Sequence, residues 1–182
     1  MKRLVLIVAM LFTMSFAVNA SAQCAKNILS DDSFVDASCY VWSYSGAAAR
    51  KTDNLMCGGF PTYVEISGSA GTGIQPGSFS QTATANTNGS QFYLSYVINF
   101  SGQQNTYWQD FAVYIEDASN NTVLATADHF TGYIGALNCV RRDINLGLHS
   151  DWRGKSLRIR FEGYAYYGAV FKVGMVSLRQ SN

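Results

Sequence analysis

Alternation of apolar and other side chains is the feature that most constrains how this chain folds. In Gln91–Phe100, apolar or aromatic side chains recur at every second position: Phe92, Leu94, Tyr96, Ile98 and Phe100. Successive side chains of a β-strand point to opposite faces, so this spacing predicts a strand with one buried face. The same period of two continues along the chain, and helical spacing is absent after the N-terminal segment. An all-β protein with antiparallel strands is therefore predicted.

Eight segments carry this pattern. They are Thr62–Ser67, Ser78–Thr84, Gln91–Phe100, Tyr107–Glu116, Thr122–Ala127, Val140–Leu146, Ser156–Gly163 and Gly168–Leu178. Segments such as "ANTNGS" at 85–90 and "SGQQN" at 101–105 separate them, and residues of these types favour turns. So many short strands in one domain predict a two-sheet antiparallel jelly-roll β-sandwich rather than a closed barrel.

The N-terminal segment has the pattern of a secretory signal peptide. Two basic residues precede an apolar stretch, and the small residues Ala20-Ser21-Ala22 follow it. Cleavage after Ala22 assigns 1–22 to the signal peptide and 23–182 to a single β-sandwich domain. Cys24 raises a second interpretation, lipid modification, which is disfavoured because Gln23 stands where lipid attachment requires a small residue. The protein is expected to be secreted or periplasmic.

The charges exclude some partners. Thirteen basic and twelve acidic residues give a formal net charge of +1. A nucleic-acid-binding protein needs a clear excess of basic residues, so this charge balance argues against that function. No apolar run outside the signal segment approaches the roughly 18 residues of a membrane span. The basic residues concentrate late in the chain, where Arg141, Arg142, Arg158 and Arg160 lie. Ion pairing within the fold is the preferred interpretation, and an anion-binding face is the alternative.

Four cysteines predict two disulfides in an exported protein. They are Cys24, Cys39, Cys57 and Cys139, and three pairings are open. The separation of 18 residues favours Cys39–Cys57 as a local bridge, which leaves Cys24 to pair with Cys139. A zinc site would require closely spaced cysteines or nearby histidines, and neither spacing exists here, so no metal ligands are predicted.

Several segments share the pattern of one known family. The segment 27–34, "NILSDDSF", is followed by Trp42, and "FSQTATA" occupies 79–85. The segments "SQFYLSYVINFSG" at 90–102 and "GAVFKVGMVSLR" at 168–179 complete the set. Together they resemble the opening, glutamine-bearing, tyrosine-rich and closing strands of the jelly-roll carbohydrate-binding modules appended to bacterial cellulases and xylanases. The resemblance implies a galactose-binding-domain-like sandwich that binds a glycan.

In that family acidic side chains help to hold a structural calcium ion. At two of the corresponding positions this chain has Val35 and Gly174, which offer no side-chain oxygen. A calcium ion needs several oxygen ligands. Asp31, Asp32 and Asp36 could compensate, but a calcium site is disfavoured and no cofactor is expected.

On two of the predicted strands, the side chains that point away from the core are candidate ligand-binding residues. Those residues are Tyr93, Ser95 and Asn99 on one strand and Trp108, Asp110 and Tyr114 on the other. If the two strands pair across the "SGQQN" turn, these side chains share one sheet face. Aromatic rings could then stack on a sugar, with polar groups bonding its hydroxyls. In the alternative interpretation the face is covered and its rings are ordinary cross-strand pairs.

Other aromatic residues are interpreted from their neighbours in the sequence. Trp42 is predicted to be a core residue that packs on a disulfide, and Trp152, in a turn, to be exposed. Tyr164, Tyr166 and Tyr167 either rim a binding site or cover a sheet edge.

Catalytic motifs are absent from the sequence. His129 and His149 are the only histidines, and no nucleophile elbow or zinc-protease motif accompanies them. The carboxylates Glu65, Asp110, Glu116 and Glu162 occupy outward strand positions, but no spacing marks two of them as a glycosidase pair. The sequence therefore predicts a non-catalytic, exported glycan-binding module. The alternative is a structural or interaction protein of the cell envelope or matrix that docks a protein partner.

Overall fold

The computed structural model describes residues 42–53, 56–57, 61–68, 73–101, 109–132, 135–166 and 168–181. Within these ranges the strands are β1 Trp42–Gly46, β2 Ala48–Lys51, β3 Tyr63–Ser67, β4 Ile74–Thr84, β5 Gln91–Ser101, β6 Gln109–Asp117, β7 Thr122–Gly132, β8 Leu137–Leu148, β9 Ser156–Tyr166 and β10 Val170–Ser181. A 3-10 helix spans Ser150–Trp152. Among the described residues, no helix has the length and apolar character needed to cross a membrane.

The strands form two five-stranded antiparallel sheets. Sheet A has the strand order β1-β4-β9-β6-β7, and sheet B has the order β2-β3-β10-β5-β8. The consecutive strands β5 and β6 lie in different sheets, as do β7 and β8. The sheets pack face to face and do not close into a barrel, which confirms the predicted jelly-roll β-sandwich.

All eight predicted strands are present, and most of them extend beyond their predicted bounds. The composition of the Gly-rich segment 67–77, "SGSAGTGIQPG", predicts a turn, but β4 begins within it at Ile74, because Ile74 and Pro76 pair with Tyr166 and Tyr164 of β9. The expectation that Trp42 starts or lies within a strand is confirmed by β1, whereas β2 was not predicted. Each is short and pairs with one neighbour in its sheet, so its side chains show little of the alternation that marks a half-buried strand.

Aromatic rings from both sheets fill the core. Phe79 of β4 and Phe161 of β9 are stacked, with ring centroids 4.7 Å apart. Tyr96 of β5 crosses from sheet B and meets Phe161 edge-on at 5.4 Å. The predicted inward rows of β5 and β6 are buried as expected. Burial of these rings and of the aliphatic side chains around them holds one sheet against the other.

The two described tryptophans differ in burial. Trp42 is partly buried and packs against the core, with Phe79 at 5.5 Å, and its described ring neighbours are aromatic residues rather than the expected disulfide. Trp152 is only 1% exposed, and the expectation of exposure is wrong. The 3-10 helix turns its indole inward, where it stacks on His149 at 3.8 Å and contacts Phe92 at 5.1 Å.

An ion pair joins the two sheets at one side of the sandwich. Arg142 of β8 donates from Nε to Asp128 Oδ2 of β7 at 2.8 Å, and the Tyr96 hydroxyl donates to the same oxygen at 2.8 Å. Burial, followed by the neighbouring Asp128 charge, raises the pKa of Tyr96, so its hydroxyl stays protonated and donating. The hydrogen bond to Asp128 raises the pKa of Arg142. Asp128 thus accepts bonds from two side chains of the opposite sheet.

The disulfide pattern differs from the favoured pairing. Cys57 is bonded to Cys139 of β8, with their Cα atoms 5.4 Å apart. The expected Cys39–Cys57 and Cys24–Cys139 bridges are therefore wrong. Sequence separation misled the prediction, because the sandwich brings residues 82 positions apart into contact. Cys24 and Cys39 lie outside the described residues.

Replacing Asp128 with Asn should lower the free energy of unfolding by about 2 kcal/mol, because the Arg142 cation loses its partner inside the fold. Urea denaturation of the wild type and the variant measures this difference. The matched control is Asp143→Asn, whose carboxylate pairs with Arg141 while both side chains are more than half exposed. Its expected cost is about 0.5 kcal/mol or less. Equal losses in the two variants would contradict an inter-sheet role for Asp128.

Proteolysis of the oxidised protein without reduction should yield one cross-linked peptide that contains Cys57 and Cys139. Mass spectrometry of the digest, before and after reduction, identifies it. Replacing both residues with Ser should cost about 2–4 kcal/mol of stability. Recovery of a Cys39–Cys57 peptide instead would contradict the pairing.

Candidate functional site

The residues predicted to form one ligand face are divided between two faces. Tyr93, Ser95 and Asn99 belong to β5 on the outer face of sheet B, whereas Asp110 and Tyr114 belong to β6 on the outer face of sheet A. The condition for a shared face, pairing of these two strands across the turn, is not met, because they lie in different sheets. Both strands carry a buried apolar row, and these rows bury each other across the sandwich rather than side by side within one sheet.

The three β5 residues do not form an open row either. Tyr93 is 39% exposed, but Ser95 is buried and Asn99 is half-buried. The Asn99 amide donates to Cys139 Sγ at 3.7 Å, so it lies beside the disulfide. Trp108 lies outside the described residues.

The outer face of sheet A contains an open depression of about 340 Å³, named here the sheet-A depression. Its lining residues come from β4, β6 and β9 and are Ile74, Asp110, Ala112, Tyr114, Glu162, Tyr164 and Tyr166. The volume falls within the range of small-ligand sites, which combine apolar walls with a few polar groups.

Strand register explains the shape of this depression. Asp110 lies opposite Tyr164, and Ala112 lies opposite Glu162. The methyl group of Ala112 is the smallest side chain among the lining residues, so it leaves room at the floor between larger neighbours. Tyr164 and Ile74, which are 37% and 45% exposed, stand at the rim.

A network of ion pairs organises the charged side chains of this face. Glu116 is buried and accepts hydrogen bonds from Arg158 Nε at 2.6 Å and from Arg160 Nε at 2.8 Å. Arg160 also pairs with Glu162, and the Tyr164 hydroxyl donates to Glu162 at 2.6 Å. The preferred interpretation of the arginines, pairing within the fold, is confirmed for these residues and for Arg142.

Two further contacts fix the aromatic and acidic groups of the depression. The Arg160 guanidinium lies over the Tyr114 ring, 4.5 Å from its centroid. The carboxylate of Asp110 lies 2.9 Å from His129 Nε2 of β7. Tyr114 and Asp110 are thus each held by a side chain of a neighbouring strand, and groups fixed in this way lose less entropy when a ligand binds.

Chemically, the depression offers ring faces and hydrogen-bond acceptors. Tyr114, Tyr164 and Tyr166 provide aromatic surface, while Asp110 and Glu162 provide carboxylate oxygens. The donors among the charged groups, Arg158 and Arg160, are directed at Glu116. The described part of the chain contains no cluster of three or more His, Cys, Asp or Glu side chains suited to a metal ion.

Sequence reasoning named Glu162, Tyr164 and Tyr166 but assigned them to separate roles. Their alternation is a signal in the sequence, but the predicted strand ended at Gly163, and the longer β9 of the structure places them on one face. The sequence does not indicate that β6 is the neighbour of β9, because the paired residues are more than 40 positions apart in the chain.

Comparisons with known proteins identify the fold. No family model and no curated protein matches the sequence. Among solved structures, a carbohydrate-binding module of family 61, in complex with β-1,4-galactotriose, is similar with a TM-score of 0.52, 10% identity, and coverage of 86% of this chain and 97% of that one. A family 28 module specific for non-crystalline cellulose has a TM-score of 0.50, 12% identity, and coverage of 82% and 94%.

The similar structures are mostly carbohydrate-binding modules, which confirms the predicted resemblance in fold. They also include enzymes. The apo form of a cyclase from Fischerella sp. has a TM-score of 0.50 and 13% identity, with coverage of 84% of this chain and 94% of the cyclase. Because one fold hosts many functions, the function must be argued from the site itself.

Replacing Glu116 with Gln should destabilise the protein by about 2 kcal/mol, since two partly buried arginines lose their shared counter-charge. Thermal and urea unfolding measure the loss. Glu65→Gln is the matched control, because the ion pair of Glu65 on sheet B is with Lys51 alone among the described residues, at 3.7 Å, and the lysine is 41% exposed. We expect that control to cost less than half as much, and a Glu116 variant as stable as the wild type would show that the network does not hold this face.

Proposed function

We propose that this protein is an exported, non-catalytic module that binds a glycan in the sheet-A depression. The single observation that supports this function most strongly is the open depression in which three tyrosines surround two carboxylates. A pyranose ring has an apolar face that stacks on aromatic rings and equatorial hydroxyls that donate to carboxylates. The similar family 61 module, which is in complex with β-1,4-galactotriose, and the family 28 module specific for non-crystalline cellulose support the same class of ligand.

Tyr164 is the principal stacking residue in this proposal. Its ring is 37% exposed at the rim, and the bond from its hydroxyl to Glu162 fixes the ring orientation. Tyr114 is less accessible, because Arg160 covers one of its faces. Asp110, opposite Tyr164 in the register, is placed to accept from the hydroxyls of a stacked sugar.

The proposed ligand is an uncharged glycan. Asp110 and Glu162 are the charged lining residues of the depression, and no Lys or Arg lines it among the described residues, so it offers no cation to bind an acidic sugar. The arginines next to the depression are bound by Glu116 and Glu162, so they do not reverse this preference. Hydrogen-bonding capacity rather than net charge would then select the ligand.

Export is supported by two independent features. The segment 1–22 has the composition of a signal peptide. The Cys57–Cys139 bridge is of a kind that persists in oxidising compartments. A secreted or periplasmic location follows in this proposal.

Replacing Tyr164 with Ala should weaken retention on a soluble neutral polysaccharide at least tenfold, with little change in melting temperature, because the ring is at the rim rather than in the core. Affinity electrophoresis against β-1,4-galactan, soluble cellulose derivatives, xylan and mannan measures retention. Tyr164→Phe keeps the ring and removes the hydroxyl, so it should retain most of the binding.

Tyr93→Ala provides the matched control on the opposite face, since Tyr93 is 39% exposed and Tyr164 is 37% exposed. We expect it to bind neutral glycans like the wild type. Loss in Tyr93→Ala with normal binding by Tyr164→Ala would move the site to sheet B. If no glycan is retained and a protein co-purifies, the docking function is favoured instead.

A further inference from the structure

A second depression, of about 240 Å³, lies on the outer face of sheet B and is named here the sheet-B depression. Its lining residues come from β5, β8 and β10 and are Ser95, Tyr96, Val97, Arg141, Met175, Ser177 and Arg179. This is the face that carries Tyr93, and it is separated from the sheet-A depression by the whole core. The two depressions therefore belong to distinct sites.

A β-bulge in β10 shapes this depression. The register of β10 against β5 shifts between Gly174 and Ser177, and Met175 has a φ of 52°. A positive φ is costly for a residue with a side chain and is maintained here by the surrounding packing. Beyond the bulge, Ser177 pairs directly with Ser95, so the floor consists of two small hydroxyl side chains between larger neighbours.

Part of the same face is already covered. A small apolar cluster lies on this face and consists of Met56, Cys57, Tyr63, Val97, Cys139 and Met175. The disulfide between Cys57 and Cys139 holds Met56 and Cys57 in place there. The cluster closes one end of the depression. The other end is open toward Arg179, which is exposed.

Cations predominate on this face. Four basic residues and two acidic residues point outward from its strands, and they are Lys51, Arg141, Lys172, Arg179, Glu65 and Asp143. Lys51 pairs with Glu65, and Arg141 pairs with Asp143. Lys172 lies over the Tyr63 ring. Arg179 has no ion-pair partner among the described residues, and its guanidinium borders the depression.

An exposed aromatic ring stands beside this free guanidinium. Tyr93 is the direct cross-strand partner of Arg179 and is 39% exposed. On its other side it pairs with Asn145, whose side chain accepts a bond from Gln91 at 2.5 Å. A ring surface next to an unpaired arginine and two hydroxyls is suited to a sugar that carries an anionic group, since the guanidinium binds oxyanions in a planar fork.

We propose that the sheet-B depression is a second binding site, which takes the sulfate or carboxylate group of an acidic saccharide. Arg179 binds the oxyanion, Ser95 and Ser177 donate hydroxyl hydrogen bonds, and Tyr93 stacks on the ring that carries it. The site is independent of the neutral-glycan site on sheet A. A protein with both sites would connect two different saccharides.

The test uses isothermal titration of the oxidised mature protein at 0.15 M salt with dextran sulfate, with uncharged dextran of the same length and with inorganic sulfate. Dextran sulfate should bind, and Arg179→Gln should weaken that binding at least tenfold. Tyr93→Ala should weaken it at least threefold. Tyr164→Ala should leave the affinity for dextran sulfate unchanged. Failure of the sheet-B site can therefore be distinguished from failure of the sheet-A site.

Lys172→Gln is the matched control, because it removes the same charge from the same strand but does not line the depression. Equal weakening in Lys172→Gln and Arg179→Gln would show diffuse attraction and overturn the proposal. Binding of inorganic sulfate as tight as that of dextran sulfate, with no effect of Tyr93→Ala, would reject the saccharide and leave a simple anion site. Absence of dextran sulfate binding would reject the site altogether.

Discussion

The face-to-face burial of two aromatic rows is the interaction on which the rest of this structure depends. Phe161 stacks on Phe79 within sheet A and receives the edge of Tyr96 from sheet B, so neither sheet has a core without the other. In this arrangement every second side chain of the central strands is buried between the sheets. The side chains between them point outward and do not pack in the core, so they can be polar, aromatic or charged, as a binding surface requires.

The outer faces of the two sheets differ in how their charged side chains are paired. On sheet A the arginines are bound by Glu116, a buried carboxylate shared between Arg158 and Arg160, and the groups left in the depression are mainly acceptors. On sheet B the pairs are more exposed, and Arg179 stands outside them. Charge that is paired in a low-dielectric network fixes geometry, whereas an unpaired exposed cation remains available to a ligand. The two faces therefore differ in the charge that they present to solvent.

Two different devices support the sandwich away from its aromatic centre. At one side, Asp128 of sheet A accepts bonds from Arg142 and Tyr96 of sheet B, so the sheets are joined by charge as well as by burial. On the outer face of sheet B, the Cys57–Cys139 bridge holds a short segment over Val97 and Met175. That segment explains why Val97, an outward residue by alternation, is only 8% exposed. The disulfide thus decides which part of the face stays open.

The sequence by itself determined the local properties of this protein. Alternation specified eight strands, their buried rows and the sandwich class, because the side-chain period of a strand is a property of its own backbone. The predicted strand ended at Gly163, so the position of Tyr164 and Tyr166 beside Glu162 became clear only from the longer β9 of the structure. Which strands are neighbours was decided only by the tertiary structure. The division of β5 and β6 between sheets, the pairing of Cys57 with Cys139 and the meeting of Asp110 with Tyr164 all join residues far apart in the chain. Such contacts depend on how complete sheets bury one another, and no local pattern encodes them.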